Sequence, residues 1–220
     1  MLPPAEEASR DPPGIGTGGP PAGGAHEGTG RFRFDTPAGE VTVALAEGVQ
    51  GRRVATLTSV RPQVEAASDD LVDSTLAACG WDRSRLDPRF PPAVAFAGAR
   101  HLLLVLGART DLAALHYDVE RLRALMTAAD LTTVALLWAD PDGRWHARNA
   151  FPVGGVVEDP ATGAAAAALG AYLRERGTVA PPADLEVVQG VDMGRPSRLL
   201  VHVPAGAAGI EVSGTAVPIG

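Results

Sequence analysis

Lysine is absent from the chain, and all 19 basic residues are arginines. A Schiff-base enzyme, a lysine nucleophile and a phosphate loop that ends in Gly-Lys all need an amine side chain. The absence of lysine therefore excludes pyridoxal-type chemistry and nucleotide hydrolysis at a P-loop.

Cysteine is almost absent as well, since Cys79 is the only one. A single thiol cannot form an internal disulfide, a cysteine-based zinc cluster or a two-thiol catalytic pair. Cys79 lies in the apolar stretch 75–81 at the end of a predicted helix, so we expect a buried, unreactive thiol. The five histidines are scattered, and no two have the spacing of metal ligands on one helix. We therefore predict no metal site.

Basic residues are fewer than acidic ones, 19 against 26, so the formal net charge is −7. Nucleic-acid binding requires a basic face, so we predict no nucleic-acid partner. The sequence has no run of about 18 apolar residues and no apolar signal-peptide core at its start. We therefore expect a soluble, cytoplasmic protein without a membrane partner.

Residues 1–30 are rich in glycine and proline, and only Leu2 and Ile15 are large and apolar there. Such a segment cannot bury enough apolar surface to offset the entropy lost on ordering. We predict that residues 1–30 are disordered.

Hydrophobic periodicity predicts ordered structure from residue 31 onward. Alternating residues indicate a hairpin over 31–45 and a third strand over 52–60. A helix is predicted from Ser68 to a glycine stop at Gly80, with Leu71 and Leu76 on its inner face. The Pro, Arg and Asp-rich loop 82–92 is the predicted internal boundary.

The second half adds a helix over 118–130, an alanine-rich helix and several strands. The strands are predicted over 93–98, 101–107, 132–140, 144–153, 184–190, 197–204 and 209–219. Many strands with three helices, one of them apolar all round, favour a sheet wrapped around a central helix over alternating βαβ units. The predicted fold class is therefore α+β.

The alanine-rich helix follows an acidic turn in the stretch 158–177. Asp159, before a proline, or Thr162 is the predicted start, and Gly177 is the predicted stop. Residues 164–173 are small or apolar around the whole circumference, which predicts a helix buried on every side. The N-terminus of such a helix can bind an anion. An ordinary buried helix with an aspartate cap is the alternative.

Two longer motifs are more specific. The stretch EDPATGAAAAALGAYL, residues 158–173, closely resembles the Glu-Asp-Pro-x-Thr-Gly-Ser-Ala signature of the phenazine-biosynthesis PhzF-like family. Residues 187–203, VVQGVDMGRPSRLLVHV, are similar to that family's Gln-Gly and Met-Gly-Arg-Pro-Ser strand pair, and residues 210–220 are similar to its closing strand. The resemblance covers residues 31–220. It implies the diaminopimelate-epimerase-like fold, with two domains, each a curved sheet around a helix, and an active site between them.

The resemblance also implies a domain plan. An N-terminal domain would cover 31–82, a C-terminal domain 83–208, and a strand within 209–220 would return to the first domain. The family's opening segment, with its Gly-Asn-Pro turn, catalytic Glu and Gly-His-Pro loop, has no counterpart here, and His26 and Glu27 match the last of these only weakly. The first domain is therefore expected to be incomplete.

By resemblance, the function is isomerisation or epimerisation of a small amino or hydroxy carboxylic acid, as in phenazine biosynthesis. The family works by acid/base proton transfer without a cofactor or metal and commonly forms homodimers. The residues that the match places at the substrate are Asp159, Thr162, Gly163 and Ala164, with Asp159 as the catalytic carboxylate. Ala164 stands where the family has Ser, so it offers only its backbone amide.

The family's general base is not matched, and Glu158 is expected to point away from the substrate. The alternative is therefore an inactive remnant, or a small-molecule-binding pseudoenzyme, that keeps the second-domain site. Without a matched base, the chain is expected to bind such an acid weakly and to turn it over negligibly. Strands between Phe32 and Val60 should leave apolar faces exposed, which would either lower the solubility of the chain or be covered by a second copy of it.

Overall fold

The computed structural model describes residues 29–48, 52–206 and 208–216. The segment predicted to be disordered, 1–30, lies outside this range except for its last two residues, and so do His26 and Glu27. Gly30 already belongs to the first strand, so regular structure begins one residue before the predicted start.

The described chain contains twelve strands and four α-helices, none of the latter long and apolar enough to cross a membrane. The strands are β1 (Gly30–Thr36), β2 (Gly39–Glu47), β3 (Arg53–Thr58), β4 (Gln63–Ala66), β5 (Ala93–Phe96), β6 (Arg100–Val105), β7 (Thr133–Ala139), β8 (Trp145–Ala150), β9 (Glu158–Asp159), β10 (Ala183–Gln189), β11 (Ser197–Val203) and β12 (Glu211–Ala216). The helices are α1 (Asp69–Ala78), α2 (Arg109–Ala113), α3 (Val119–Ala128) and α4 (Gly163–Glu175). Short 3-10 turns cover Arg83–Arg85, Pro152–Gly154 and Val191–Met193.

The strands form one hydrogen-bonded sheet. Their order is β1-β2-β3-β12-β11-β10-β8-β7-β6-β5-β4, and β9 pairs with β8 outside this path. Most neighbours are antiparallel, but β10 and β8 run parallel, as do β6 and β7. The architecture is therefore a mixed sheet with few helices, in agreement with the predicted α+β class.

Helix α4 occupies the hollow of this curved sheet and contacts β4, β5, β6, β11 and β12. All residues from Ala165 to Leu173 are buried, which confirms the prediction of a helix buried on every side. Small side chains make this approach possible, because a Cβ on Gly170 would lie 2.9 Å from Val201 Cγ1. Gly177, with a φ of +68°, follows the helix in the left-handed conformation that favours glycine.

Helices α1, α2 and α3 cover the opposite face of the strands β5 to β8. The cap of α1 is Ser68, as predicted, but Val72 is buried with Leu76 whereas Leu71 is only partly buried. The observed spacing of four residues puts Val72 and Leu76 on one helix face, and Leu71 lies to its side. Burial raises the pKa of Cys79 to about 11, which supports the prediction of an unreactive thiol.

The sheet continues across the predicted domain boundary at residues 82 and 83. Strand β4 lies before that boundary and pairs with β5, and α1 packs against α3. Residues 63–82 therefore join the layers around β5 to β8 and not the strands β1 to β3. Strand β12 pairs with β11 on one side and with β3 on the other, so the last strand does return to the first three. The division into domains itself stays a prediction.

Strands β1 to β3 carry large apolar side chains that are incompletely covered. Phe34 is 48% exposed, and Val43 and Leu57 are only partly buried. No helix in the described ranges packs extensively on these three strands. The structure thus agrees with the expectation of open apolar faces, whereas their cover by a second copy stays a prediction.

Candidate functional site

The candidate site lies where β9 ends and α4 begins. Thr162 occupies the N-cap position of α4, but its side chain does not cap the helix. Its hydroxyl instead donates to Asp159 Oδ2 at 2.7 Å, and the first hydrogen bond of the helix runs from Ala166 N to Thr162 O. The backbone N–H groups of Gly163 and Ala164 therefore have no acceptor within the described chain. Unpaired amides at a helix start bind anions.

The space in front of these amides is open. A Cβ built on Gly163 would meet no atom within 4 Å, and both Gly163 and Ala164 are partly accessible. The Asp159 carboxylate lies beside them and also accepts the N–H of Ala161 at 3.4 Å. In the described residues no charged side chain pairs with Asp159. The turn therefore places the start of a helix, which can bind an anion, next to a carboxylate that has no cationic partner in the described residues.

Gln189, at the end of β10, holds this turn in place and is 1% exposed. Its Nε2 donates to the Asp159 carbonyl at 2.6 Å and to Thr162 Oγ1 at 3.0 Å, while its Oε1 accepts the Thr162 N–H at 3.1 Å. Because Nε2 donates to the threonine hydroxyl, the hydroxyl proton is free to go to Asp159. Sequence reasoning did not name Gln189, although its position before a glycine at a strand end is part of the second motif.

The loop after β10 presses against the same turn. Gly190 has a φ of +77°, and a Cβ there would lie 2.9 Å from the carbonyl oxygen of Pro160. Only glycine allows this backbone approach without strain. Farther along the loop, Asp192 accepts two hydrogen bonds from Arg109 Nη2, at 2.9 and 3.0 Å, which tie the loop to α2.

Glu158 points away from Asp159, as expected from the sequence. It forms a two-bond ion pair with Arg148, whose Nε donates to Glu158 Oε2 at 2.9 Å, and both side chains are only 10% exposed. Arg148 Nη1 also donates to the carbonyls of Leu112 and Ala113, at 3.1 and 3.0 Å. Burial lowers the pKa of Arg148, and its hydrogen bond to Glu158 raises it. The net result is a pKa above the ordinary value for arginine. Glu158 is thus fully engaged in a structural contact.

A second contact anchors the loop before Glu158. The Tyr117 hydroxyl donates to the Val157 carbonyl, and burial, assisted by the charge of Glu158, raises the pKa of Tyr117 to about 12. This phenol therefore stays protonated and can act as a permanent donor to the loop.

The four residues predicted to form the site, Asp159, Thr162, Gly163 and Ala164, lie together on one turn. Thr162 differs from the prediction in one respect, because its hydroxyl is directed at Asp159 and leaves only its neighbours' amides for a ligand. Among the described residues, no group of three or more His, Cys, Asp or Glu could hold a metal ion. The absence of a metal or cofactor from the reaction stays a prediction.

Residues 22–220 match the family described as phenazine biosynthesis-like protein, PhzC-PhzF. The chain is 33% identical over 206 residues to trans-2,3-dihydro-3-hydroxyanthranilate isomerase of Pseudomonas chlororaphis, which covers 90% of this chain and 68% of that protein. The protein of the same name from Pseudomonas aeruginosa is 33% identical over 194 residues, or 87% of this chain and 66% of its own. The chain thus spans about two thirds of the length of these relatives.

Solved structures show the same fold. A PhzF-family protein of Bacillus anthracis aligns with a TM-score of 0.74 at 19% identity, over 87% of this chain and 67% of that one. A protein of Pseudomonas aeruginosa described as a predicted epimerase gives 0.68 at 26% identity, over 86% and 65%. A hydroxyproline epimerase of Agrobacterium vitis gives 0.60 at 16% identity, over 90% and 60%. The predicted diaminopimelate-epimerase-like fold is confirmed.

Proposed function

The chain belongs to the phenazine biosynthesis-like PhzF family, and on this premise we propose that it is an isomerase or epimerase of a small amino or hydroxy carboxylic acid. Relatives that are 33% identical are named isomerases. The observation that carries the proposal is the position of Asp159 beside the open backbone amides of Gly163 and Ala164. A carboxylate that can bind an ammonium or hydroxyl group therefore lies beside amides that can bind a carboxylate, and an amino or hydroxy acid carries both kinds of group.

The chemistry follows from this arrangement. The helix amides bind the carboxylate of the substrate, and Asp159 binds its ammonium or hydroxyl group. When a general base, a role that we assign to no described side chain, takes a proton from the carbon between or beside these groups, negative charge spreads into the carboxylate, where the amides stabilise it. The proton then returns to another carbon, or to the other face of the same carbon. No cofactor takes part in this proposal.

Asp159 is the proposed catalytic carboxylate, and it acts by holding and orienting the substrate. Two groups with separate acidities are the usual arrangement for moving a proton between carbons. Glu158 cannot be the second one while it is paired with Arg148. We assign that second role to no described side chain.

The substrate class, a cytoplasmic location and a homodimer belong to the same proposal. The exposed Phe34 and the open face of β1 to β3 favour the dimer, because a second copy could cover them. The alternative of a pseudoenzyme that only binds small molecules gains no support from relatives that are named isomerases.

The proposal is tested by incubating the chain with trans-2,3-dihydro-3-hydroxyanthranilate, and separately with a panel of small amino and hydroxy acids. Proton NMR follows isomerisation of the first, and optical rotation follows epimerisation of the others. Because relatives that are 33% identical are named isomerases, we expect conversion of at least one compound, in contrast to the negligible turnover expected from the sequence alone. Binding without conversion of any of them would contradict the isomerase and favour the binding module.

A further inference from the structure

Three buried polar side chains form a hydrogen-bonded row across neighbouring strands at the end of the sheet where α4 begins. His101 on β6, Thr133 on β7 and Asn149 on β8 are at most 1% exposed. His101 Nδ1 lies 2.8 Å from Thr133 Oγ1, which donates to Asn149 Oδ1 at 3.1 Å. We call these three residues the polar row.

The polar row lies on the face of the sheet that contacts α4. Side chains two positions apart on a strand share a face. Leu103, Ala135 and Ala147, each two positions from a member of the row, belong to the core that surrounds α4. The row is therefore on the inside of the curved sheet, with Gln189 and the start of α4.

The hydrogen bonds of the polar row have one consistent direction. Thr133 has a single hydroxyl proton and donates it to Asn149 Oδ1, so it must accept from an N–H at His101 Nδ1. Burial lowers the pKa of His101 to about 4, so the ring stays neutral near pH 7. In this arrangement the Asn149 oxygen accepts from Thr133, and the Asn149 NH₂ group faces the other way.

Asn149 is the direct cross-strand neighbour of Asp159, since the two are register partners in the β8–β9 pair. Opposed residues of an antiparallel pair point to the same face with Cβ atoms about 4.5–5.5 Å apart. No hydrogen bond joins their side chains in the described structure, and the Asp159 carboxylate accepts from Thr162 and Ala161. Within the described chain the Asn149 NH₂ has no acceptor. The nitrogen is not among the fully buried polar atoms without a partner in the described residues, so it keeps some accessible surface that a ligand beside Asp159 can reach.

We propose that Asn149 is a further ligand-binding residue that donates through Nδ2 to a carboxylate oxygen of the substrate, while Asp159 binds the neighbouring amino or hydroxyl group. Thr133 and His101 are positioning residues that keep the Asn149 oxygen turned away from that carboxylate. The inference rests on the proposed function and narrows its substrate class to acids that carry the carboxylate and the amino or hydroxyl group on the same or adjacent carbons.

The test compares anthranilate, which has adjacent amino and carboxylate groups, with aniline, which lacks the carboxylate. Asn149→Asp keeps the size and the acceptor for Thr133 but replaces the donor by a negative oxygen. We expect anthranilate to bind about 10- to 100-fold more weakly to this variant, as for a lost hydrogen bond to a charged group. Aniline binding should change by less than about twofold, since only the carboxylate is read by Asn149. Equal anthranilate affinity in wild type and variant overturns the inference.

A second pair of variants tests the row without changing Asn149. Thr133→Val removes the hydroxyl and should weaken anthranilate binding, whereas Thr133→Ser keeps it and should restore binding to the wild-type level. In the wild type, the Asn149 side-chain NH₂ signal in nitrogen-15 NMR, identified by its loss in Asn149→Asp, should shift with anthranilate and not with aniline. An unmoved signal, or equal binding by the Val and Ser variants, contradicts the assignment.

The outcomes separate this inference from the function on which it rests. If the wild type neither binds nor converts any small amino or hydroxy acid, the proposed function fails, and the role of Asn149 fails with it. If the wild type binds anthranilate and the variants bind it equally well, only the role of Asn149 is overturned.

Discussion

Gln189 Nε2 lies 2.6 Å from the carbonyl oxygen of Asp159, although the two residues are 30 positions apart in the chain. The turn that carries the candidate carboxylate is thus held by β10 as well as by the two-residue strand that leads into it. Asp159 owes its position to a side chain from another part of the sequence.

Gln189→Leu should destabilise the protein, because it leaves the Asp159 carbonyl and the Thr162 N–H buried without their partner. Each such group costs about 1–3 kcal/mol in the free energy of unfolding. Urea unfolding measures the loss, and Gln63→Leu, at an exposed position on β4, is the control with an expected change within about 0.5 kcal/mol. Equal midpoints for Gln189→Leu and wild type would show that these hydrogen bonds do not stabilise the turn.

Thr162 should contribute to kcat/KM through its hydroxyl group and not through its methyl group. Thr162→Val keeps the shape but loses the bond to Asp159 Oδ2, so the carboxylate is no longer oriented. A hydrogen bond to a charged group contributes about 1.5–3 kcal/mol, which corresponds to roughly 10- to 100-fold in kcat/KM. Thr162→Ser should retain most of the activity. The idea is wrong if the Val and Ser variants have the same kcat/KM.

Replacing one partner of the buried pair Arg148–Glu158 should lower the free energy of unfolding far more than replacing one partner of an exposed pair. Glu158→Gln leaves a buried guanidinium without its anion, and we expect a loss of about 3–5 kcal/mol in the free energy of unfolding. Glu186→Gln removes the partner of Arg198, whose side chain is 66% exposed, and should cost at most about 1 kcal/mol. Chemical denaturation of both variants checks the contrast. Similar losses would mean that the Arg148 pair is well hydrated.

His101 should make stability depend on pH. Its folded pKa of about 4 lies below the ordinary value of 6.5, so the unfolded chain takes up a proton first as the pH falls. Stability from this group is complete above about pH 6.5 and is lost between about 6.5 and 4, by roughly 3 kcal/mol at most. His101→Asn keeps a donor near Nδ1 and does not titrate, so its stability should fall less over that interval. Parallel pH profiles of the two proteins would contradict this assignment.

The sequence predicted the features that depend on local signals. Helix α4, its glycine stop at Gly177 and the cap of α1 at Ser68 follow from apolar runs, glycine conformation and capping chemistry within a few residues. Strand β4 and the five-residue α2 were missed because both are short: the alternation of Gln63–Ala66 spans four residues with one large apolar side chain, and a helix as short as α2 gives no periodicity.

The residues of the candidate site likewise divide into those with a local sequence signal and those without one. The turn from Asp159 to Ala164 is contiguous and could be found as a motif, whereas Gln189 bonds to it from β10 and Asn149 lies opposite Asp159 on β8. Their contribution depends on register, since Asn149 faces Asp159 only through the β8–β9 pairing. A shift of one residue in that pairing would move it to the other face. Such pairings are long-range and cannot be derived from hydrophobic periodicity.

Asp159 is proposed to bind the substrate of a proton-transfer reaction at the start of α4. The most direct test is deuterium uptake from D₂O into trans-2,3-dihydro-3-hydroxyanthranilate, followed by proton NMR for wild type, Asp159→Asn and Asp184→Asn. Asp184 lies on β10 with its side chain 85% exposed and serves as the matched control. We predict uptake with the wild type and the control at equal rates and a decrease of about 10- to 100-fold for Asp159→Asn, as for the loss of a hydrogen bond to a charged group. Uptake by Asp159→Asn at the wild-type rate, or none by the wild type, would contradict the account.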